Sequence, residues 1–389
     1  HLIDSVILPG NRAPRGLSVV QAILAQAGRP LEEWRGGAPA RTRAWGSLRR
    51  VDLGFGPRWS SPIGAPDLVL FPKTFRARSV HFSAGLELSL LHLGLWGLAL
   101  PVRWGLVQRL TPLARPLRWI ADRLQGFGTD VGGMRVRVIG TTQTGGMHER
   151  VWTLRAAAGD GPEVPGIPAR VLTRALVQGR IAPGARASVN ELDLTEATAE
   201  LLKHHIQTDV AYADFRPIFE IATGKDWLLL PAPIRELHQL ADCRRWTGRA
   251  SITRGTSVLA RLAAWLLRFP AAAPDIPVTV TMTRKGPAET WVRDFGGQRF
   301  RSHLRPAPKG VTERFGPLTF QIGLTVKDGA LHYPVTRGWC LGIPMPRALL
   351  PVSETVEAVD REGRATFDVA LSHPLSGPII RYRGWLQPA

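Results

Sequence analysis

The sequence predicts an α+β protein: a mixed α/β domain over residues 1–205, followed by a β-rich domain over residues 206–389 with a mostly antiparallel curved sheet and a few helices. Three observations lead there. Strand-like and helix-like stretches alternate through the first half, as in an α/β unit. From Pro277 onward nearly every stretch reads as a short strand, and turn pairs such as Asp328-Gly329 and Glu362-Gly363 separate several of them. Strands joined so closely are antiparallel neighbours, and a long row of them curves or closes around a pocket. The length, 389 residues, also exceeds what one hydrophobic core organises, which makes two domains the expectation.

In chain order, residues 2–8 read as a strand that breaks into the loop Pro9-Gly10-Asn11-Arg12-Ala13-Pro14-Arg15-Gly16. Residues 17–27 form a helix closed by Gly28, and residues 79–82 a short strand. Residues 134–140 and 151–156 alternate on either side of 141–146 and make a hairpin. Asp160-Gly161-Pro162 begins a turn, and residues 167–178 form a helix stopped by Gly179. Residues 192–204 carry acids early and Lys203 late, the polarity that suits a helix dipole. The character changes near residue 206, so the boundary is placed between Lys203 and Tyr212. Residues 215–221, 233–240 and 257–269 read as helices; in the last, Leu259, Leu262, Leu266 and Phe269 recur at helical spacing. Strands are expected at 278–284, 289–295, 298–304, 318–326, 331–339, 352–360, 364–371 and 379–386.

Hydrophobic residues are 44% of the chain and charged residues 21%, close to globular averages, so disorder is not expected. The 50 Lys+Arg against 31 Asp+Glu give a formal net charge of +19, nearly all of it arginine. A field of this sign favours anionic partners. The arginines are scattered, however, and no helix-turn-helix, zinc-finger or RNA-binding signature accompanies them, which argues against nucleic acid. Cys243 and Cys340 stand far apart without a C-x-x-C or a disulfide framework, and a reducing cytoplasm is the simplest compartment. No signal-peptide pattern is visible at the start. The chain opens on His1 in mid-element, from which we expect it to be the downstream part of something longer.

Residues 86–107 are the most apolar region, with Arg109, Arg115, Arg118 and Arg123 following among Trp104 and Trp119. The charge-free part is shorter than a spanning helix needs, and Pro101 should kink or end the helix. Three readings stay open: burial in the core or a dimer interface, a helix lying in a membrane interface at the inner face of the membrane, and half of a spanning hairpin.

Two groups of residues are candidate sites. Asn11, Arg12 and Arg15, with Gly16 opening a helix, could receive an anion on free backbone N–H groups and guanidinium forks; the alternative is a loop whose arginines face water or pair with acids. Arg293, Asp294, Glu313, Arg314, Arg337, Arg381 and Arg383 could line a polar pocket within the sheet and hold an acidic headgroup; the alternative is salt bridges across neighbouring strands. No catalytic residue is identified. His204-His205, His303, His332 and His373 lack H-E-x-x-H or other metal spacing, so no metal is expected, and no G-x-S-x-G elbow supports a hydrolase.

The Pro9 to Gly16 loop, Pro66-Asp67-Leu68-Val69-Leu70-Phe71-Pro72, the Leu-His-Leu-Gly-Leu-Trp run ending at Trp96, and Asp160-Gly161-Pro162-Glu163-Val164-Pro165 together resemble the downstream half of bacterial saccharopine-dehydrogenase-like proteins, over residues 1–205. The resemblance implies an oxidoreductase in which a preceding Rossmann domain binds NAD(P) and this α/β domain supplies the substrate side and a homodimer surface. No G-x-G-x-x-G follows a strand here, so no cofactor is expected in this chain itself. The second half is similar to the bacterial domain of unknown function commonly fused behind such proteins, through Arg244-Arg245-Trp246-Thr247-Gly248, Arg293-Asp294-Phe295-Gly296-Gly297, Glu313-Arg314-Phe315-Gly316-Pro317, Arg337-Gly338-Trp339, the 342–347 segment and the closing 378–385 segment. Two functions follow as expectations: the substrate-side and accessory portion of an NAD(P)-dependent oxidoreductase, not competent for hydride transfer alone, or a protein on an anionic membrane surface that holds an apolar, lipid-like ligand in its β-rich domain.

Overall fold

A computed structural model describes residues 1–143, 145–308 and 310–389, and the chain divides into two compact units, His1–Asp214 and Phe215–Ala389. The first unit begins with β1 (Leu2–Leu8), α1 (Leu17–Gln26), β2 (Pro30–Arg35), β3 (Ala38–Arg43), β4 (Arg49–Asp52) and β5 (Pro57–Pro62). It continues through α2 (Asp67–Thr74), β6 (Ser79–Leu86), α3 (Ser89–Arg103), α4 (Ala114–Arg123), β7 (Gly132–Thr141), β8 (Met147–Ala156), α5 (Gly166–Val177), α6 (Leu194–Leu201) and β9 (Ile206–Asp214). Its mixed sheet runs β3-β2-β6-β1-β7-β8-β9, with β5 joined to β6 and β4 to β5. β1 lies parallel to β6 and antiparallel to β7, so it is central and buried almost throughout. Its polar Asp4 is tolerated there because the Arg49 guanidinium meets it with two hydrogen bonds of 2.9 and 3.0 Å.

Leu24 and Ala27 pack against Trp45, Leu95, Ala99 and Val102 in one apolar cluster. Gly28 makes this approach possible: its φ is +76°, and a Cβ there would lie 2.4 Å from the Ala99 carbonyl oxygen. α3 therefore sets one face, His92, Leu95, Ala99 and Val102, into the core and leaves Leu90 exposed. Pro101 does not end it: the helix runs on to Arg103 although proline removes one i→i−4 hydrogen bond there. Among the described residues no helix is long and apolar enough to cross a membrane. β7 and β8 form the expected hairpin from Gly132↔Ala156 to Thr141↔Met147; Thr144, within the expected 141–146 connection, lies outside the described residues. Residues 206–214 pair with β8 along their whole length, which carries the first unit to Asp214 instead of residue 205.

The second unit comprises α7 (Ile218–Thr223), α8 (Ala232–His238), β10 (Cys243–Arg254), α9 (Val258–Leu266), β11 (Ala273–Lys285), β12 (Ala288–Phe295), β13 (Gln298–Ala307), β14 (Gly310–Phe315), β15 (Leu318–Ile322) and β16 (Thr325–Lys327). After these come β17 (Ala330–His332), β18 (Val335–Cys340), β19 (Ile343–Pro344), β20 (Val352–Ser353), β21 (Val356–Val359), β22 (Ala365–His373) and β23 (Gly377–Pro388). They form one antiparallel 14-stranded sheet in the order β16-β17-β21-β22-β23-β10-β11-β12-β13-β14-β15-β18-β19, with β20 on β22; it is not closed. Three expected strands divide, residues 352–360 giving β20 and β21. Residues 318–326 break at Gly323 into β15 and β16, and residues 331–339 break at Pro334, which has no N–H for a ladder, into β17 and β18. The pieces of these last two lie in different parts of the sheet, and the Gly323 N–H donates to the Pro334 carbonyl at 2.9 Å.

The sheet is strongly curled. Tyr382 on β23 lies three strands from Phe295 on β12 and four from Phe300 on β13, which in a flat sheet would separate them by about 14 and 19 Å. Their ring centroids are 5.4 and 6.2 Å from Tyr382. Side chains of β10–β15, β17, β22 and β23 thus share one core, which α7, α8 and α9 enter by packing on β13 and β14, on β21 and β22, and on β23 respectively. β10, central in this sheet, escaped the sequence reading because Arg244, Gly248 and Ala250 fill positions where an apolar alternation would show.

Two glycines let β10 and β23 meet. A Cβ on Gly248 would stand 1.8 Å from the Trp385 carbonyl oxygen, and one on Gly384 2.0 Å from that of Arg249. Gly248→Ala and Gly384→Ala are each expected to lower the stability of this unit by about 2–3 kcal/mol in urea unfolding. Gly161→Ala, where a Cβ meets nothing within 4 Å, should stay within about 0.5 kcal/mol of the parent.

Candidate functional site

Loop 9–16 carries β1 into α1, and the structure brings Asn11, Arg12, Arg15 and Gly16 together there. Their polar groups bind the protein itself. Asn11 is buried and its Nδ2 donates to the Leu124 carbonyl at 2.7 Å; Arg15 Nη2 donates to Asn11 O at 2.8 Å and Oδ1 at 2.5 Å. Arg12 Nη2 reaches the Gly126 carbonyl at 3.4 Å, and Gly16 caps α1 through backbone alone. The anion held by this loop is internal. The Glu87 carboxylate accepts from Asn11 N at 2.6 Å, Thr129 N at 2.9 Å, Thr129 Oγ1 at 2.7 Å and Arg58 Nη2 at 2.7 Å. Burial raises the pKa of Glu87, but these hydrogen bonds and the Arg58 charge outweigh it and hold the carboxyl below its ordinary range.

In the second unit the curled sheet encloses a cavity of about 430 Å³. Its walls are apolar, among them Val280, Met282, Phe295, Leu304, Val311, Phe320, Phe367 and Ile379, with Leu259, Ala263 and Leu267 contributed by α9. It reaches the surface at Leu259 and Leu375, which line it and are 54% and 68% exposed. Polar side chains interrupt the apolar wall: the ionisable Arg293, Glu313, Tyr333, Glu357 and Tyr382, together with Ser353, Thr355, His373 and Ser376.

Strand parity sorts the seven sequence candidates. Trp291, Arg293 and Phe295 alternate onto the concave face of β12, and Glu313 does the same on β14, so Arg293 and Glu313 enter the cavity. Arg293 Nη2 meets Glu313 Oε1 at 3.3 Å, its Nη1 donates to the buried Ser302 hydroxyl at 2.8 Å, and its guanidinium lies 5.0 Å from the Trp291 ring. The five others lie outside it. Asp294 accepts from Arg299 Nε at 2.5 Å and from Gly297 N at 2.6 Å in the β12–β13 turn. Arg381 forms a two-pronged pair with Asp368 of the neighbouring β22, at 2.9 and 2.6 Å, while Arg314, Arg337 and Arg383 are exposed.

Sequence reading missed the other polar groups. His238 Nε2 lies 2.6 Å from Glu357 Oε2, which also accepts from the Tyr333 hydroxyl at 2.5 Å. Phe219 stacks on the His238 ring at 3.8 Å and His238 is fully buried, so Tyr333 and Glu357 face the cavity while the histidine backs them from α8. Burial first, then Glu357, pushes the Tyr333 phenol well above its ordinary pKa, so it acts as a proton-holding hydrogen-bond donor. Burial also pushes Tyr382 up to about 12. Among the described residues the Tyr382 hydroxyl has no protein hydrogen-bond partner, although the residue is only 7% exposed and lines the cavity. The spacing of Tyr382 on the inward parity of β23, between the outward Arg381 and Arg383, was the available signal. Among the described residues no three His, Cys, Asp or Glu side chains are grouped to hold a metal ion.

Glu289, next to this layer, accepts from Trp291 Nε1 at 3.0 Å while its Oε1 has no partner, and burial raises its pKa to about 7. The folded protein therefore binds this proton more tightly than the unfolded chain, and stability falls as pH rises from about 4.5 to about 7. Glu289→Gln should flatten that fall and leave the protein more stable by up to about 3 kcal/mol at pH 8, read by urea unfolding across pH. In the first unit, Glu87→Gln leaves the Arg58 guanidinium, 6% exposed, without its anion, and a loss of about 2–4 kcal/mol is expected at pH 7.

A scan against family models matches residues 230–386 to a family described as Domain of unknown function (DUF4166). It finds no saccharopine dehydrogenase family model, and a search of curated proteins gives no match. Every residue that lines the cavity falls within the matched segment.

Proposed function

We propose that the β-rich unit is a binding module for a largely apolar ligand with one uncharged, hydrogen-bonding end, such as a long-chain alcohol or carbonyl compound. One observation carries this: an apolar cavity of about 430 Å³, within the roughly 300–1,000 Å³ range of small-molecule sites, lined by Tyr382, whose hydroxyl makes no hydrogen bond among the described residues. Tyr333 and Tyr382 both sense the charges of Arg293, Glu313 and Glu357, so the polar groups form one patch within electrostatic reach. That patch contains two carboxylates and one guanidinium already paired with one of them, which disfavours an anionic headgroup and leaves Tyr382 to bind a neutral one. The acidic headgroup expected from the sequence is accordingly not part of this proposal.

For residues 1–205 the proposal remains the substrate-side portion of an NAD(P)-dependent oxidoreductase, supported by the sequence motifs quoted above.

Titration with a fluorescent long-chain alcohol and with an alkane-tailed probe lacking the hydroxyl tests the ligand reading. Tyr382→Phe is expected to weaken the alcohol about three- to tenfold and leave the alkane probe unchanged. Ala263→Trp, which fills the cavity from α9, is expected to abolish binding of both. Unaltered affinity of both probes for Ala263→Trp would place binding elsewhere and defeat the proposal.

A further inference from the structure

α9 turns its small residues inward and its large ones outward. Ala260 and Ala264, at most 1% exposed, face the core where the helix packs on β23, whereas Val258, Leu259, Leu262, Trp265 and Leu266 are 54–79% exposed. A helix on a globular domain ordinarily buries its large apolar residues, and a patch of them outside marks an interaction surface. Two further segments are tied to it. The Ser257 hydroxyl donates to the Ser376 carbonyl at 2.7 Å, which fixes the helix start to the β22–β23 turn and its exposed Leu375. At the end of β22 His373 Nε2 lies 3.1 Å from the Leu349 carbonyl oxygen, which brings in the exposed Leu349.

This patch is also the mouth of the cavity, because Leu259, Leu349 and Leu375 belong to both. Its charge has one sign. Segments 257–269, 345–351 and 372–377 contain the exposed Arg261, Arg268 and Arg347 and no acidic residue; the next acid along the chain is Glu354. An apolar ligand enters such a mouth from whatever covers it, and a covering phase that is apolar beneath and negative at its surface matches both the leucines and the arginines. Trp265 supplies the amphipathic ring that sits at a headgroup boundary.

We infer that the cavity mouth docks on an anionic lipid bilayer, with Leu262, Trp265 and Leu266 of α9 in the interface and Arg261, Arg268 and Arg347 against lipid phosphates. The inference rests on the reading of the cavity as the site of an apolar ligand, which passes between bilayer and cavity without crossing water.

Flotation of the full chain with phosphatidylcholine vesicles, alone and mixed with phosphatidylglycerol, tests it. The parent is expected to float with the mixed vesicles. Leu262→Glu with Trp265→Glu, both outside the cavity lining, should lower that binding at least about tenfold while the alcohol probe still binds in solution. Arg261→Glu with Arg347→Glu should lower binding to the mixed vesicles by about tenfold or more. Equal flotation of the parent and the Leu262/Trp265 variant overturns the inference. Self-association of the parent that this variant abolishes, without flotation of either, assigns the patch to a second copy and overturns it too. Probe binding without flotation defeats the docking alone, whereas flotation without saturable probe binding defeats the ligand reading.

Discussion

Where β10 and β23 pair at Gly248 and Gly384, backbone approaches carbonyl so closely that no side chain fits, and this contact joins the two arms of the fourteen-stranded sheet. The curl that accompanies it brings Tyr382 within ring contact of residues three and four strands away. A sheet with one apolar face has to cover that face, and folding it over itself does so without a second sheet. The helices α7 and α8 fill part of the interior with Ile218, Phe219, Ile234 and Leu237, all nearly or fully inaccessible. The cavity occupies the part they leave.

Polar groups in such an interior need partners, and the pairing sets what the cavity can recognise. Arg293 is held by Ser302 and Glu313, and Glu357 by Tyr333 and His238. These contacts satisfy the charges internally and leave Tyr382 with capacity to spare. Under the proposed reading the hydrogen bond to a ligand falls to Tyr382, since the Tyr333 hydroxyl already donates to Glu357.

Much of this was legible in the sequence because strands announce themselves by alternation. The α+β class and the antiparallel row after Pro277 followed from local pattern, and of the seven residues proposed for a pocket Arg293 and Glu313 line the cavity. Parity would have gone further, since Arg293 shares its face with Trp291 and Phe295 while Asp294 does not. What stayed hidden depends on partners distant in sequence. β9 shows little burial beyond Ile206, yet it is fixed by its ladder to β8; β10 carries arginine and glycine inward; and His238 meets Glu357 only because the sheet curls. Loop 9–16 was read as a place for an anion from outside, and the internal Glu87 stayed hidden because it approaches from the end of β6, far along the chain.

The two units thus use buried charge differently. Around Glu87 an acid organises a loop by accepting from four donors, and in the β-rich unit paired charges border an apolar space. The most direct measurement of the latter is methyl NMR of the full chain with a long-chain alcohol bearing a spin label at its tail. The account predicts paramagnetic broadening of methyl signals from Met282, Leu304 and Val311, which line the cavity, with those of Leu24 and Leu95 in the first unit unaffected. Broadening spread evenly over both sets, or absent from the cavity methyls at saturating ligand, would contradict it.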